Sequence, residues 1–147
     1  MKRIILYGII LIGVLLIPVK PIDISDLEPI EVVYLSKEDG KVTLQTDTKD
    51  IGAGQSVREA LEDMKNKSSG IVYLDTAEYL LVSEDSVDQI SDMKPYLHGS
   101  VRVSVWEGEG DISNAGRYMR AHKIGCKIKN WSPSVKLPKL PREMSEK

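Results

Sequence analysis

Phenylalanine is absent from this 147-residue chain, and cysteine occurs once, as Cys126. Without Phe, the core has to be filled by Leu, Ile, Val, Tyr and Met. A single Cys rules out an intramolecular disulfide, and with it the small disulfide-stapled class of secreted domain. It also lies far from the N-terminus, so no thiol is placed to carry a lipid. Neither charge sign is in excess: 20 basic against 22 acidic side chains leave a net charge of −2, with a pI near 5.7. That balance gives no general affinity for nucleic acid. The two histidines, His98 and His122, have no Cys, Asp or Glu at metal-ligand spacing, so no metal and no cofactor is expected. Gly52-x-Gly54 lacks the third glycine of a dinucleotide fingerprint and the Gly-Lys-Ser/Thr of a phosphate loop. It reads as an ordinary loop ahead of a helix.

Polar residues are also missing from one long stretch. Lys2 and Arg3 are followed by residues 4–19, which carry no charge at all. A basic start and an apolar run describe either an export signal or an anchor, and a cleavable signal also needs small residues before the cut. Here the run leaves through Ile17-Pro18-Val19-Lys20-Pro21, with bulky or rigid residues at every candidate cut. An uncleaved anchor is the reading that follows. Sixteen residues give a helix of about 24 Å, short of a hydrocarbon core of about 30 Å. Snorkelling of Lys2, Arg3 and Lys20 can close that gap. The positive-inside rule puts Lys2 and Arg3 in the cytoplasm, and Asp23, Asp26 and Glu28 follow on the far side. The expected topology is a single pass of the cell membrane with the body outside. A cut signal would instead release a soluble secreted factor. Loss of Lys2 and Arg3 from a net charge of −2 leaves −4 for the rest.

The chain divides into residues 1–22, the signal or anchor and linker; 23–123, one α/β domain; and 124–147, a basic Pro-rich tail. In the domain, 29–35 is β-like, Asp39-Gly40 is a strong hairpin signal, and 41–48 alternates. Residues 49–55 read as a loop. Ser56-x-x-Glu59 matches a capping box, and Val57, Ala60, Leu61 and Met64 make one helical face. Residues 71–74 and 77–83 are apolar on both faces, as in a covered central strand. A second helix starts near Glu84 and ends near Lys94 before Pro95. Residues 100–107 alternate as a strand, with Trp106 on the sheet, and Asp111 caps a helix over 112–123. The predicted order is β-β-α-β-α-β-α, a small mixed sheet with helices packed against it.

From residue 126 on, three prolines and six basic residues stand against two acids. Residues 133–141 should favour extended polyproline II over a packed core. Trp131, Lys136, Lys139, Leu140 and Arg142 are the candidate interaction residues, facing an anionic surface or a membrane-protein partner. For chemistry, Asp75, Glu78, Glu84 and Asp85 crowd one strand and its exit. Converging carboxylates there would suit a small hydrolase or wall-modifying enzyme; scattered ones would be a solvated edge and a helix cap. Cys126, in a basic segment with Lys127 and Lys129, reads as a spectator.

Two segments carry a family resemblance: Gly54-Gln55-Ser56-Val57-Arg58-Glu59-Ala60-Leu61, and Asp75-Thr76-Ala77-Glu78-Tyr79-Leu80-Leu81-Val82-Ser83-Glu84. With the preceding anchor and hairpin, and the later strand at Ser100-Val101-Arg102-Val103-Ser104-Val105, the order resembles the N-terminal domain of the spore germinant-receptor C subunit, the Ger(x)C family, over residues 28–122. Thr76 stands where that family has His, and the family's lipid-bearing Cys and long C-terminal part have no counterpart. The resemblance implies an extracytoplasmic accessory role in a spore-forming bacterium, with no catalytic residues. Together these readings give a membrane-tethered binding or assembly domain, not an enzyme.

Overall fold

A computed structural model describes residues 29–108 and 110–142. The apolar run and its linker lie outside the described residues. Six strands and three α-helices follow in the order β1 (Val32–Glu38), β2 (Lys41–Thr46), β3 (Ile51–Gly54), α1 (Val57–Lys67), β4 (Tyr79–Val82), α2 (Ile90–Met93), β5 (Arg102–Val105), α3 (Ile112–His122) and β6 (Cys126–Lys127). The strands form one sheet in the order β3-β2-β1-β4-β5-β6. The β1–β4 and β4–β5 pairs are parallel, and the β1–β2, β2–β3 and β5–β6 pairs antiparallel. A mixed sheet with helices packed on it is what the alternation of patterns predicts.

The period-2 alternation of each strand divides the core. Val33 and Leu35, Val42 and Leu44, Leu80 and Val82, Val103 and Val105 face α1 and α2. Val32, Tyr79 and Leu81 face α3, with Trp106 and Met119. The β1–β2 turn uses Asp39 and Gly40 at φ 49° and 77°, the positive pair that a two-residue hairpin requires.

The capping box forms with a shift of one residue. Ser56 Oγ accepts from the Glu59 N–H at 3.2 Å, whereas the Glu59 carboxylate reaches back to the Gln55 N–H at 2.9 Å. Val57, Ala60, Leu61 and Met64 are all buried, the helical face that their spacing predicts.

Four expectations are corrected. Residues 51–54 are a strand, not a loop. A Cβ on Gly52 would lie 2.0 Å from the Ala60 carbonyl oxygen, and one on Gly54 would lie 2.6 Å from the Ala60 nitrogen. These glycines exist because α1 lies directly against β3, and a Gly-x-Gly segment in a strand marks such close approach. Residues 71–74 are not a strand: only Tyr79–Val82 pairs, and Leu74–Thr76 is a 3-10 turn. The second helix is mostly 3-10, over Glu84–Gln89 and Lys94–Tyr96, with one α turn between. Val87, Ile90 and Met93 recur every three residues, which is the 3-10 period.

The fourth correction concerns residues 124–140, which pack as part of the domain. Ile128, Trp131, Leu137 and Leu140 are buried. β6 pairs with Arg102 and Val103. Beyond it the Val105 N–H donates to the Pro138 carbonyl at 2.9 Å, and the Leu140 N–H to the Val105 carbonyl at 2.8 Å. Lys94 Nζ donates to the Trp131 carbonyl at 2.9 Å and stands 5.3 Å above its ring. Trp131 and Leu137 enter the α1/α2 side and Leu140 the α3 side. The prolines do not keep this segment apart, because the outer edge of β5 supplies the hydrogen bonds that a free polyproline strand would take from water.

The opposite edge is guarded by a side chain. Asp63 on α1 accepts the Ala53 N–H at 2.9 Å and pairs with Lys67 at 2.6 Å. Lys67 and then the Ala53 N–H hold its carboxyl below the usual carboxylate range. At the other helix, Asp111 accepts the Ser113 N–H at 2.9 Å, and that bond holds its carboxyl low as well. A depressed folded pKa stabilises above the unfolded value of about 3.9, and the contribution disappears as pH falls through the folded value. The melting temperature should therefore drop as pH falls below about 4. A double Asp63→Asn, Asp111→Asn variant should lose less over the same range, with Asn still able to cap α3. Equal acid sensitivity in both proteins would contradict these assignments.

Candidate interaction surface

The parallel strands define two poles. β1, β4 and β5 begin at an amino pole, around Ile30, Glu78 and Arg102, and end at a carboxyl pole, around Glu38, Ser83 and Trp106. β1 has seven residues, which puts the poles about 20 Å apart. In open α/β sheets, ligands bind outside the carboxyl ends of the strands. Here both helix N-termini at that pole are closed by their own caps, Ser56 on α1 and Asp111 on α3. A shallow depression beside the hairpin is lined by Asp39, Gly40, Lys41, Gly54, Gln55 and Glu59. Its Glu59 carboxylate is already bonded to the Gln55 N–H.

The carboxylates singled out from the sequence do not converge. Asp75 and Glu78 precede β4, and Glu84 and Asp85 follow it, so the strand separates them into two pairs at opposite poles. Glu78 binds Arg120 at 3.2 Å, sharing it with Glu31 at 2.9 Å. This cluster ties α3 to the starts of β1 and β4, with the Tyr79 ring 6.0 Å from the guanidinium. Glu84 pairs with Lys139. Two acids cannot share proton transfer to one substrate across the length of β4, so Asp75 and Glu84 do not form one acid–base pair.

The histidines are occupied locally. His98 Nδ1 is 2.7 Å from Ser100 Oγ, and His122 stacks on Tyr118 at 4.1 Å. No group of three or more metal-ligating side chains occurs among the described residues. Cys126 is half-buried on β6. Trp106 is buried on the sheet as expected, with its ring edge-on to Tyr34 at 5.5 Å.

Of the five residues proposed for contact, Trp131 and Leu140 are buried inside the domain's own core and are withdrawn as contact residues. Lys136, Lys139 and Arg142 remain exposed. Lys139 and Arg142 sit at the carboxyl pole, because the segment runs parallel to β5 past Val105 and the Arg142 carbonyl reaches the Gly108 backbone. The apolar side chains that sequence reasoning missed as surface features are Ile71 and Tyr73, exposed at 46% and 45%. Their alternation with Val72 and Leu74 reads as a strand, which hides the fact that the outward pair has no cover.

No protein-family model, no curated protein and no solved structure matches this chain. Among the described residues, no helix is long and apolar enough to cross a membrane.

Proposed function

We propose that the protein is a membrane-tethered extracytoplasmic domain that binds or assembles with a membrane-protein partner and performs no chemistry of its own. The observation that carries this reading is where the described residues enter and leave the domain. The chain reaches the domain at the amino pole, at Pro29 and Ile30, after an apolar run in the sequence, and it leaves at Arg142 on the carboxyl pole. Tethered at the first pole, the domain presents the second away from the lipid. The exposed bases Lys139 and Arg142 then stand on the side open to a partner. Over about 20 Å in salt, their attraction to an anionic bilayer would be largely screened, which favours a protein partner over the lipid surface for them. The resemblance of Gly54-Gln55-Ser56-Val57-Arg58-Glu59-Ala60-Leu61 to the germinant-receptor C subunit adds a role in sporulation or germination. With no lipid-bearing Cys after the apolar run, the run itself would serve as the tether.

Cross-linking in intact membranes tests the binding role. Native protein should be captured in a species larger than the monomer. A Lys139→Glu, Arg142→Glu variant should lose that species while keeping its melting temperature, since both side chains are exposed and the surface pair of Lys139 with Glu84 contributes little to stability. A chain that stays monomeric in its native membranes would contradict the assembly role.

A further inference from the structure

We propose that Ile71 and Tyr73 form a second contact with the membrane, seating the amino pole of the domain on the lipid surface beside the point where the chain arrives. This rests on the tethered reading above. Four large hydrophobic side chains are exposed among the described residues: Ile51, Ile71, Tyr73 and Val135. Two of the four stand on one short segment, between the end of α1 and β4. That segment is held from within. Val72 and Leu74 are buried in the larger core, so the alternation fixes Ile71 and Tyr73 facing outward.

The segment is also tied to the arriving chain. Thr76 Oγ1 accepts the Ile30 N–H at 3.1 Å and donates to the Ile30 carbonyl at 3.0 Å or to the Tyr73 carbonyl at 3.2 Å. One hydroxyl therefore links the backbone of Tyr73 to that of Ile30. In sequence, nine residues separate Val19, the last of the apolar run, from Pro29. Fully extended they reach about 30 Å at most, so the tether holds this pole close to the bilayer. A tyrosine suits the headgroup level, with an apolar ring and a hydroxyl that stays hydrated; here Asp75 lies beside that hydroxyl. Lys65, Lys127 and Lys129 are exposed near the same pole, on the last turn of α1 and around β6. Bases at the same pole as an apolar pair match an interfacial contact, and the acids Glu31 and Glu78 there are paired with Arg120.

The test uses the full chain in vesicles of phosphatidylcholine and phosphatidylglycerol, with Cys126→Ser removing the native thiol. An environment-sensitive fluorophore is attached through Tyr73→Cys, or through Lys41→Cys at the carboxyl pole as the reference. Lipids carrying a quencher near the headgroup should quench the label at 73 several-fold more than the label at 41. Adding Ile71→Ser should reduce that difference. Equal quenching at the two positions, in protein that still resists carbonate extraction, would overturn the lipid contact and leave the tether standing. Protein that carbonate extracts would overturn both.

Discussion

A chain truncated after Gly125 should not fold. The deletion removes Ile128, Trp131, Leu137 and Leu140, each under 8% exposed. At about 2 kcal/mol for each large apolar side chain buried, the loss is about 8 kcal/mol. A domain of this size has about 5–15 kcal/mol in total. The deletion also strips the outer edge of β5 of its partners, leaving the Val105 N–H and carbonyl without the bonds that Pro138 and Leu140 supply. Circular dichroism of the truncated chain should show no cooperative thermal transition. The milder Trp131→Ala should fold with a stability lower by about 3–5 kcal/mol, which separates loss of packing from loss of the whole segment. A truncated chain that melts at the native temperature would make the segment an appendage and return Trp131 and Leu140 to the surface.

Gly52→Ala should be among the most damaging single methyl additions in the protein. The new Cβ would sit 2.0 Å from the Ala60 carbonyl oxygen and 2.6 Å from the Met64 nitrogen. Both are backbone atoms of α1, so relief requires moving the helix rather than a side-chain tip. Overpacking of this kind costs about 3 kcal/mol or more. Gly40→Ala is the control. Its Cβ would meet nothing within 4 Å, and the penalty comes only from the positive φ of the turn, about 1 kcal/mol. A urea midpoint for Gly52→Ala no lower than that for Gly40→Ala would refute the direct seating of α1 on β3.

What could be read from the sequence was local and periodic. Ser56 and Glu59 mark a helix start by themselves, and Val57, Ala60, Leu61 and Met64 mark its buried face, because each signal lies within two turns. The hairpin at Asp39 and Gly40 is likewise a two-residue property. β3 was hidden because glycine is a loop signal until the helix above it is known. The segment 124–140 was hidden for a similar reason. Ile128, Trp131, Leu137 and Leu140 fall at multiples of three residues, the polyproline II repeat rather than the strand or α-helix period, so the spacing did not mark them as core. Proline and lysine dominate the composition between them, and composition cannot register that an open strand edge is waiting. In the candidate site the same limit applied in reverse: Trp131 and Leu140 were recognised as apolar contacts, but the surface they contact belongs to their own chain. Ile71 and Tyr73 were legible as half of an alternating pair and illegible as exposed, because no strand pairs with them.

The central claim is that an uncleaved apolar run holds this domain outside the membrane. Intact-mass measurement of protein extracted from membranes tests it most directly. The account expects the N-terminal residues to be retained, with a mass corresponding to the whole 16.4 kDa chain. A mature N-terminus near residue 20 would contradict it, and would make the domain a released factor.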